Sequence, residues 1–246
     1  MNPVAPMIRT RIKLALLPFA ELIAGNRRRA AGKVDLEHLL ALGVRAVTAA
    51  TPRPRVLVSG SAVGWYGDRG DERLTEASSP GDDFLARLCR EWEQAAAQAE
   101  QSGVRVVLLR TSLVLGRDGG ALAQMLPPFR LGLGGPIGNG RQYLPWIHLR
   151  DHVAAVATMI ADERYRGAVN LVAPQETSSR TFATALGRAL HRPAVLPLPA
   201  FALRAIFGEA AITLLASQRA VPAVLNAQGF AFAFPDLDTA LADIVR

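Results

Sequence analysis

The stretch "VLVSGSAVGWYGDRGD", residues 56–71, decides the fold. "VLVSG" is a short, continuous apolar run without polar alternation, the pattern of a strand buried on both faces of a parallel sheet. It ends in small residues and opens into a long polar loop. A helical stretch follows, "DDFLARLCREWEQAAAQAEQSG", with Leu85, Leu88, Trp92, Ala95 and Ala99 along one side and Gly103 past its end. "VRVVLLR" is then a second apolar strand. Strand, crossover helix and strand make a βαβ unit with parallel strands and a right-handed connection. Ligands in open α/β sheets bind outside the carboxyl ends of the strands. Ser61, ending a strand expected at the sheet's centre, and Arg110, ending its neighbour, are therefore expected at the mouth of one crevice.

Working outward, Asp35 is expected to cap a helix carrying Leu36, Leu39, Leu40, Gly43 and Val47 at helical spacing, stopped by "TPRPR". Downstream, "GLGGPIGNGRQYLPWIHLRD" reads as a glycine-rich surface loop leading into an extended segment. Asp151 reads as the cap of the helix "HVAAVATMIADE", and "GAVNLVAP" as a third parallel strand. Beyond Pro174, helices over 181–190 and 199–215 and a half-exposed strand in "FAFAF" form a small lobe. The fold class that results is α/β: a parallel sheet with a small, mainly helical C-terminal lobe, preceded by a basic segment over 1–33.

The chain has 246 residues, half of them hydrophobic and 20% charged, enough for a sizeable core. Its formal charge of +7 is concentrated: residues 1–33 hold seven Lys or Arg and one acid, leaving 21 basic and 20 acidic residues over the rest. A nearly neutral body argues against a nucleic-acid groove. The apolar run "IKLALLPFAELIAG" is too short to span a bilayer and is interrupted by Pro18 and Glu21, so no stable membrane insertion is expected. A single cysteine, Cys89, excludes an internal disulfide and fits a reducing, cytoplasmic setting; on its helix it reads as a buried, inert thiol. The four histidines are not at metal-ligand spacing, and no metal is expected.

Three blocks, "VLVSGSAVGWYGDRGDERLTEASSPGDDFL", "VRVVLLRTSLVLGRDGGALAQMLPPFRLGLGGPIGNGRQYLPWIHLRDHV" and "NLVAPQETSSRTFATALGRALHRP", resemble successive motifs of the extended short-chain dehydrogenase superfamily. Within it they are most similar to the NAD(P)-dependent epimerase/dehydratase family, in members that end in a helical domain resembling "PLPAFALRAIFGEAAITLLASQRAVPAVLNAQGF". The resemblance spans about residues 34–246 and implies an α/β fold with a Rossmann-like parallel sheet, N-terminally incomplete, in a nucleotide-binding domain over 34–175, a cap or substrate lobe over 176–246, NADP or NAD as cofactor and a small-molecule substrate. It also implies that Ser61 faces the nicotinamide and that the loops after Arg110 and Val172 border the cleft. Ser59, Gly60, Ser61, Arg110 and Thr111 are the expected cofactor contacts.

Two departures qualify that implication. Hydride-transferring members pair the serine with Tyr-x-x-x-Lys, in which Lys lowers the Tyr pKa for acid–base work. Here the window reads "FLARLCREWE", its Tyr and Lys slots fall near Leu85 and Cys89, and the only lysines, Lys13 and Lys33, lie upstream of Ser61. A proton donor must then come from Tyr66, Asp82, Asp83 or His148, each of which also has a structural reading: packing aromatic, helix cap, first-turn acid and strand-end residue respectively. Ser61, Tyr66, Asp83 and His148 are the catalytic candidates.

The second departure is the missing G-x-G-x-x-G turn that would set the cofactor pyrophosphate on a helix N-terminus, so cofactor binding is expected to be weak. The functions consistent with these residues are an atypical NAD(P)-dependent epimerase, dehydratase or reductase acting on a small polar substrate, a non-catalytic dinucleotide-responsive binding protein, or a truncated product without cofactor function. An incomplete sheet also exposes a strand edge, expected to be covered by "IKLALLPFAELI" or by a second copy in a homodimer.

Overall fold

The computed structural model describes residues 36–117, 119–199 and 215–246. Asp35, the basic segment 1–33, its candidate covering stretch and nearly all of the helix expected over 199–215 lie outside the described residues. The elements in chain order are α1 (Leu36–Ala49), β1 (Val56–Ala62), a 3-10 turn (Val63–Tyr66), β2 (Arg73–Leu74), α2 (Phe84–Ala97), a second 3-10 turn (Gln98–Ser102), β3 (Arg105–Thr111), β4 (Leu113–Leu115) and α3 (Gly120–Arg130). They continue with β5 (Trp146–His148), α4 (Leu149–Ala161), β6 (Gly167–Leu171), α5 (Ser179–Ala189), β7 (Arg219–Ala220), α6 (Ala223–Ala227) and α7 (Leu237–Ile244).

The three apolar runs form one parallel sheet in the order β1-β3-β6. Ser61 pairs with Arg110, and Arg110 with Asn170. β3, not β1, is the central strand, and among the described residues β1 is paired on one side only. Side chains on a strand alternate between faces. Val56, Val58, Val107, Leu109, Val169 and Leu171 pack with Ala155 and Met159 of α4. Leu57, Val106 and Leu108 pack with Ala96, Ala99 and the partly buried Val44 and Val47 of α1. Helices therefore cover both faces, which is why β3 tolerates an unbroken hydrophobic run.

Two further parallel pairs, β4–β5 and β2–β7, lie outside this sheet. Leu115 and Trp146 of the first pair share one core with Leu126 and Phe129 of α3, Phe182 and Leu186 of α5, and Leu237 and Leu241 of α7. The C-terminal lobe is thus built around elements from both sides of residue 175. The loop after β1 is held to the start of α2 by a close backbone approach: Gly81 N donates to Trp65 O at 2.9 Å, and a Cβ at Gly81 would stand 2.6 Å from Tyr66 O.

Local readings needed four corrections. Asp83, not Asp82, caps α2, accepting from Ala86 N at 2.8 Å with the extended backbone that an N-cap requires. His148, not Asp151, caps α4. "FAFAF" forms no strand although its burial alternates; Asp151, inside the first turn of α4, accepts from Ala233 N at 2.8 Å and Phe234 N at 2.9 Å. A buried carboxylate does the tethering that a partner strand would have done. The stretch 132–140 is likewise not a plain surface loop, since Gly134, Pro136, Ile137 and Gly140 are buried and Ile137 bridges to Leu198.

Asp151→Ala should destabilise the fold by about 2–3 kcal/mol in urea denaturation, because two charge-assisted bonds to backbone are lost. Amide exchange at Ala233 and Phe234 should accelerate in the same variant. A loss confined to the amino end of α4 would instead indicate a capping role.

Candidate functional site

Three polar side chains lie in register across the carboxyl ends of the sheet: Ser61, Arg110 and Asn170, all under a tenth exposed. They face α2, which presents Glu93 from an otherwise apolar stripe of Leu85, Cys89, Trp92 and Ala96. Arg110 meets Glu93 as a fork, Nε to Oε1 and Nη2 to Oε2, both at 2.9 Å. Ser61 Oγ donates to the same Oε1 at 2.7 Å. The Trp65 ring lies 4.0 Å from the guanidinium carbon, adding a cation–π contact.

The network continues beyond the fork. Arg110 Nη1 donates to Tyr66 OH at 3.1 Å and to Glu76 O at 3.2 Å. Tyr66 OH lies 2.7 Å from Asn170 Oδ1 and 3.0 Å from Thr75 O, and its single proton serves one of them at a time. Glu76 Oε1 accepts from Asn170 N at 3.0 Å and Val224 N at 3.2 Å, while its Oε2 is buried with no hydrogen-bond partner among the described residues. Asn170 Nδ2 reaches Val221 O at 2.9 Å. One cluster thereby ties β1, β3, β6, α2 and the C-terminal segment together.

Burial raises the Tyr66 pKa although Arg110 pulls the other way. Burial also pushes the Cys89 thiol up to about 11. Both groups stay protonated at neutral pH, and Cys89 is the inert buried thiol that its helix position implied. The slots of the missing Tyr and Lys are filled by packing: a Cβ at Gly64 would stand 3.5 Å from Leu85 Cβ and 3.9 Å from Cys89 Sγ.

The sequence candidates separate across the sheet. Ser59, Ser61 and Arg110 share the α2 face with Glu93. Gly60 and Thr111 belong to the other face, where a Cβ at Gly60 would meet nothing within 4 Å. The Thr111 hydroxyl on that face donates to Leu109 O at 3.4 Å. Asp83 is occupied as a cap. His148 sits elsewhere, in a cavity of about 510 Å³ with Arg117, Gly120, Arg150 and Asp243. Its Nδ1 accepts from Arg150 N at 3.1 Å, its ring stacks on Phe234 at 3.8 Å, and its Nε2 is 3.4 Å from Asp243 Oδ2. Burial lowers its pKa, against the pull of Asp243.

A second cleft, about 370 Å³, opens between the loop after β1 and the segment before β5, lined by Asp68, Asp71, Asn139, Arg141, Gln142 and Ser217 among others. Glu93, Glu76, Trp65 and Asn170 were not singled out from sequence. The available signal was Glu93 as the one acid within an apolar helical stripe, matched by Arg110 in an apolar strand. Among the described residues, no three His, Cys, Asp or Glu side chains form a metal-binding group and no helix is long and apolar enough to cross a membrane.

With this geometry in hand, comparison with known proteins is informative. Residues 15–171 match the NAD dependent epimerase/dehydratase family, and residues 198–244 match a domain of unknown function, DUF1731. The chain is 44% identical over 215 residues to the epimerase family protein SDR39U1 of Mus musculus, covering 87% of this chain and 72% of that protein. A crystal structure of the human epimerase family protein SDR39U1 (isoform2) with NADPH superposes with a TM-score of 0.81 at 38% identity, over 85% of this chain and 71% of the other. A nucleoside-diphosphate sugar epimerase from Corynebacterium glutamicum gives 0.67 at 33% identity, over 87% of this chain but 44% of that one.

Glu93→Gln or Arg110→Met alone should cost about 3–5 kcal/mol, since each leaves a buried group without its partner. The pair Glu93→Leu with Arg110→Met should cost less than either single change, as a double-mutant cycle by chemical denaturation will measure. Because the pKa values of His148 and His152 are lowered in the fold by burial, their neutral forms are favoured there. The stability they contribute is present above the unfolded value of about 6.5 and is lost as pH falls below it. Urea midpoints should therefore drop between pH 7.5 and pH 5.5, and His148→Asn, which keeps a capping acceptor, should drop less.

Proposed function

The chain belongs to the NAD-dependent epimerase/dehydratase family, and from that premise we propose that it binds NADPH or a related dinucleotide and acts, reductase-like, on a small polar molecule in the 370 Å³ cleft. The observation that carries this reading is the open space at Gly60, on the strand end where small residues leave room for a ring. Gly60, Ala62 and Thr111 would hold the nicotinamide end by backbone approach and one hydroxyl. A bound dinucleotide would supply hydride, and Gly60, Ala62 and Thr111 would orient its nicotinamide end.

The affinity is weak in this reading. Much of a dinucleotide's binding comes from a glycine turn and helix N-terminus around the pyrophosphate, and the sequence contains no G-x-G-x-x-G. Arg27, Arg28 and Arg29, outside the described residues, would add positive charge. NADPH fluorescence titration should give a dissociation constant in the high micromolar range, about −5 to −6 kcal/mol. Low-micromolar binding would require a phosphate site upstream of α1.

A second reading, a non-catalytic dinucleotide-responsive binding protein, is favoured by one observation: Ser61 and Tyr66 are locked in a buried network, and Leu85 and Cys89 fill the acid–base slots. Saturating NADPH with a panel of small carbonyl compounds separates the two. Oxidation of NADPH supports the enzyme; binding without turnover supports the regulator.

A further inference from the structure

The 370 Å³ cleft is lined by two acidic side chains, Asp68 and Asp71, from the loop after β1 and by one basic side chain, Arg141, from the segment before β5. Asp71 is exposed; its carboxylate interacts electrostatically with Arg219 but makes no hydrogen bond or ion pair among the described residues. Its backbone carbonyl accepts from Arg219 Nη1 at 3.3 Å, but that guanidinium's charge is already engaged by Glu176. Asp68 uses Oδ1 to accept from Ser217 N at 3.1 Å and Gly70 N at 3.4 Å, leaving Oδ2 without a partner among the described residues. Arg141 is exposed, and its guanidinium has no hydrogen-bond or ion-pair partner among the described residues.

The rest of the lining fixes these groups in place. Ser217 Oγ donates to Gly70 O at 2.7 Å and accepts from Tyr143 N at 3.0 Å, pinning one wall to the other. Asn139 Oδ1 accepts from Arg141 N at 2.9 Å, which leaves the Asn139 amide N–H groups available. Gln142 gives Nε2 to Ile137 O at 3.0 Å and keeps Oε1 as an acceptor. The free inventory is thus two carboxylate acceptors, one guanidinium and a pair of amide groups in a small polar space.

Resting on the reading of this cleft as the substrate site, we propose that its ligand is a monosaccharide-sized zwitterion: a polyol bearing one ammonium group, held by Asp71 and Asp68, and one phosphate or carboxylate, held by Arg141. A guanidinium pairs with such an anion through parallel N–H bonds. A nucleoside diphosphate fits poorly. It would bring a pyrophosphate toward two carboxylates with one arginine to offset it, into a volume near the lower end of about 300–1,000 Å³ usual for ligand sites.

Glucosamine 6-phosphate is the probe, titrated by calorimetry into the full chain at low ionic strength, beside glucosamine, glucose 6-phosphate and UDP-glucose. The probe is expected to bind at least tenfold more tightly than each of the three. Asp71→Asn should erase its advantage over glucose 6-phosphate, and Arg141→Gln its advantage over glucosamine. Both substitutions are at exposed positions, and unchanged urea midpoints will verify that the fold is intact. Tighter binding of UDP-glucose, or equal binding of all four ligands, overturns the proposal, as does an unaltered preference in both variants. NADPH titration of the same proteins tests the cofactor separately. NADPH binding with no preference for the probe sinks only the zwitterion assignment, whereas the preference without NADPH binding sinks only the dinucleotide reading.

Discussion

The fork between Arg110 and Glu93 is the interaction around which the carboxyl end of the sheet is organised. A guanidinium and a carboxylate, both withdrawn from water, are tolerable only because each satisfies the other through two parallel bonds and because Ser61, Tyr66, Glu76 O and the Trp65 face take up the remaining valences. Such a pair contributes little net stability against a well-packed apolar alternative. Its effect is on placement: α2 must dock with Glu93 over the Ser61–Arg110–Asn170 row, and no shifted register satisfies the same charges.

This placement limits the chemistry available. Polar residues at strand ends in an α/β fold invite a catalytic reading, yet here they are turned inward and consumed by one another. Tyr66 keeps its proton because burial disfavours the phenolate, and Ser61 donates its hydroxyl hydrogen bond to a carboxylate that is itself paired with arginine. Open space lies on the opposite face at Gly60 and in the cleft near Asp71 and Arg141.

The C-terminal lobe is attached by the same kind of contact. Asp151 holds the backbone of Ala233 and Phe234, Glu76 holds Val224, and His148 stacks on Phe234 while facing Asp243 of α7. Buried polar side chains of the first part of the chain thus take up unpaired backbone groups of the last. An irregular segment can remain packed there without forming a strand of its own.

The sequence by itself determined the parallel sheet. The runs "VLVSG", "VRVVLLR" and "GAVNLVAP" are mostly apolar without polar alternation, which suits strands covered on both faces, and the helices between them carry apolar stripes at helical spacing. It also disclosed what is missing, since the absence of Tyr-x-x-x-Lys and of the glycine turn is a property of residue order alone. What only the tertiary structure decided is which way the polar groups point. Ser59, Gly60 and Ser61 are consecutive, but the pleat sends them to alternate faces. Which face is solvent-filled and which is packed depends on where α2 docks. Asp151 sits where a cap would, yet the segment it holds is about 80 residues away in the chain, and no local pattern encodes that contact. Periodicity reports burial; it does not report the partner, because a hydrogen bond or ion pair between distant residues depends on distances that exist only once the chain has folded.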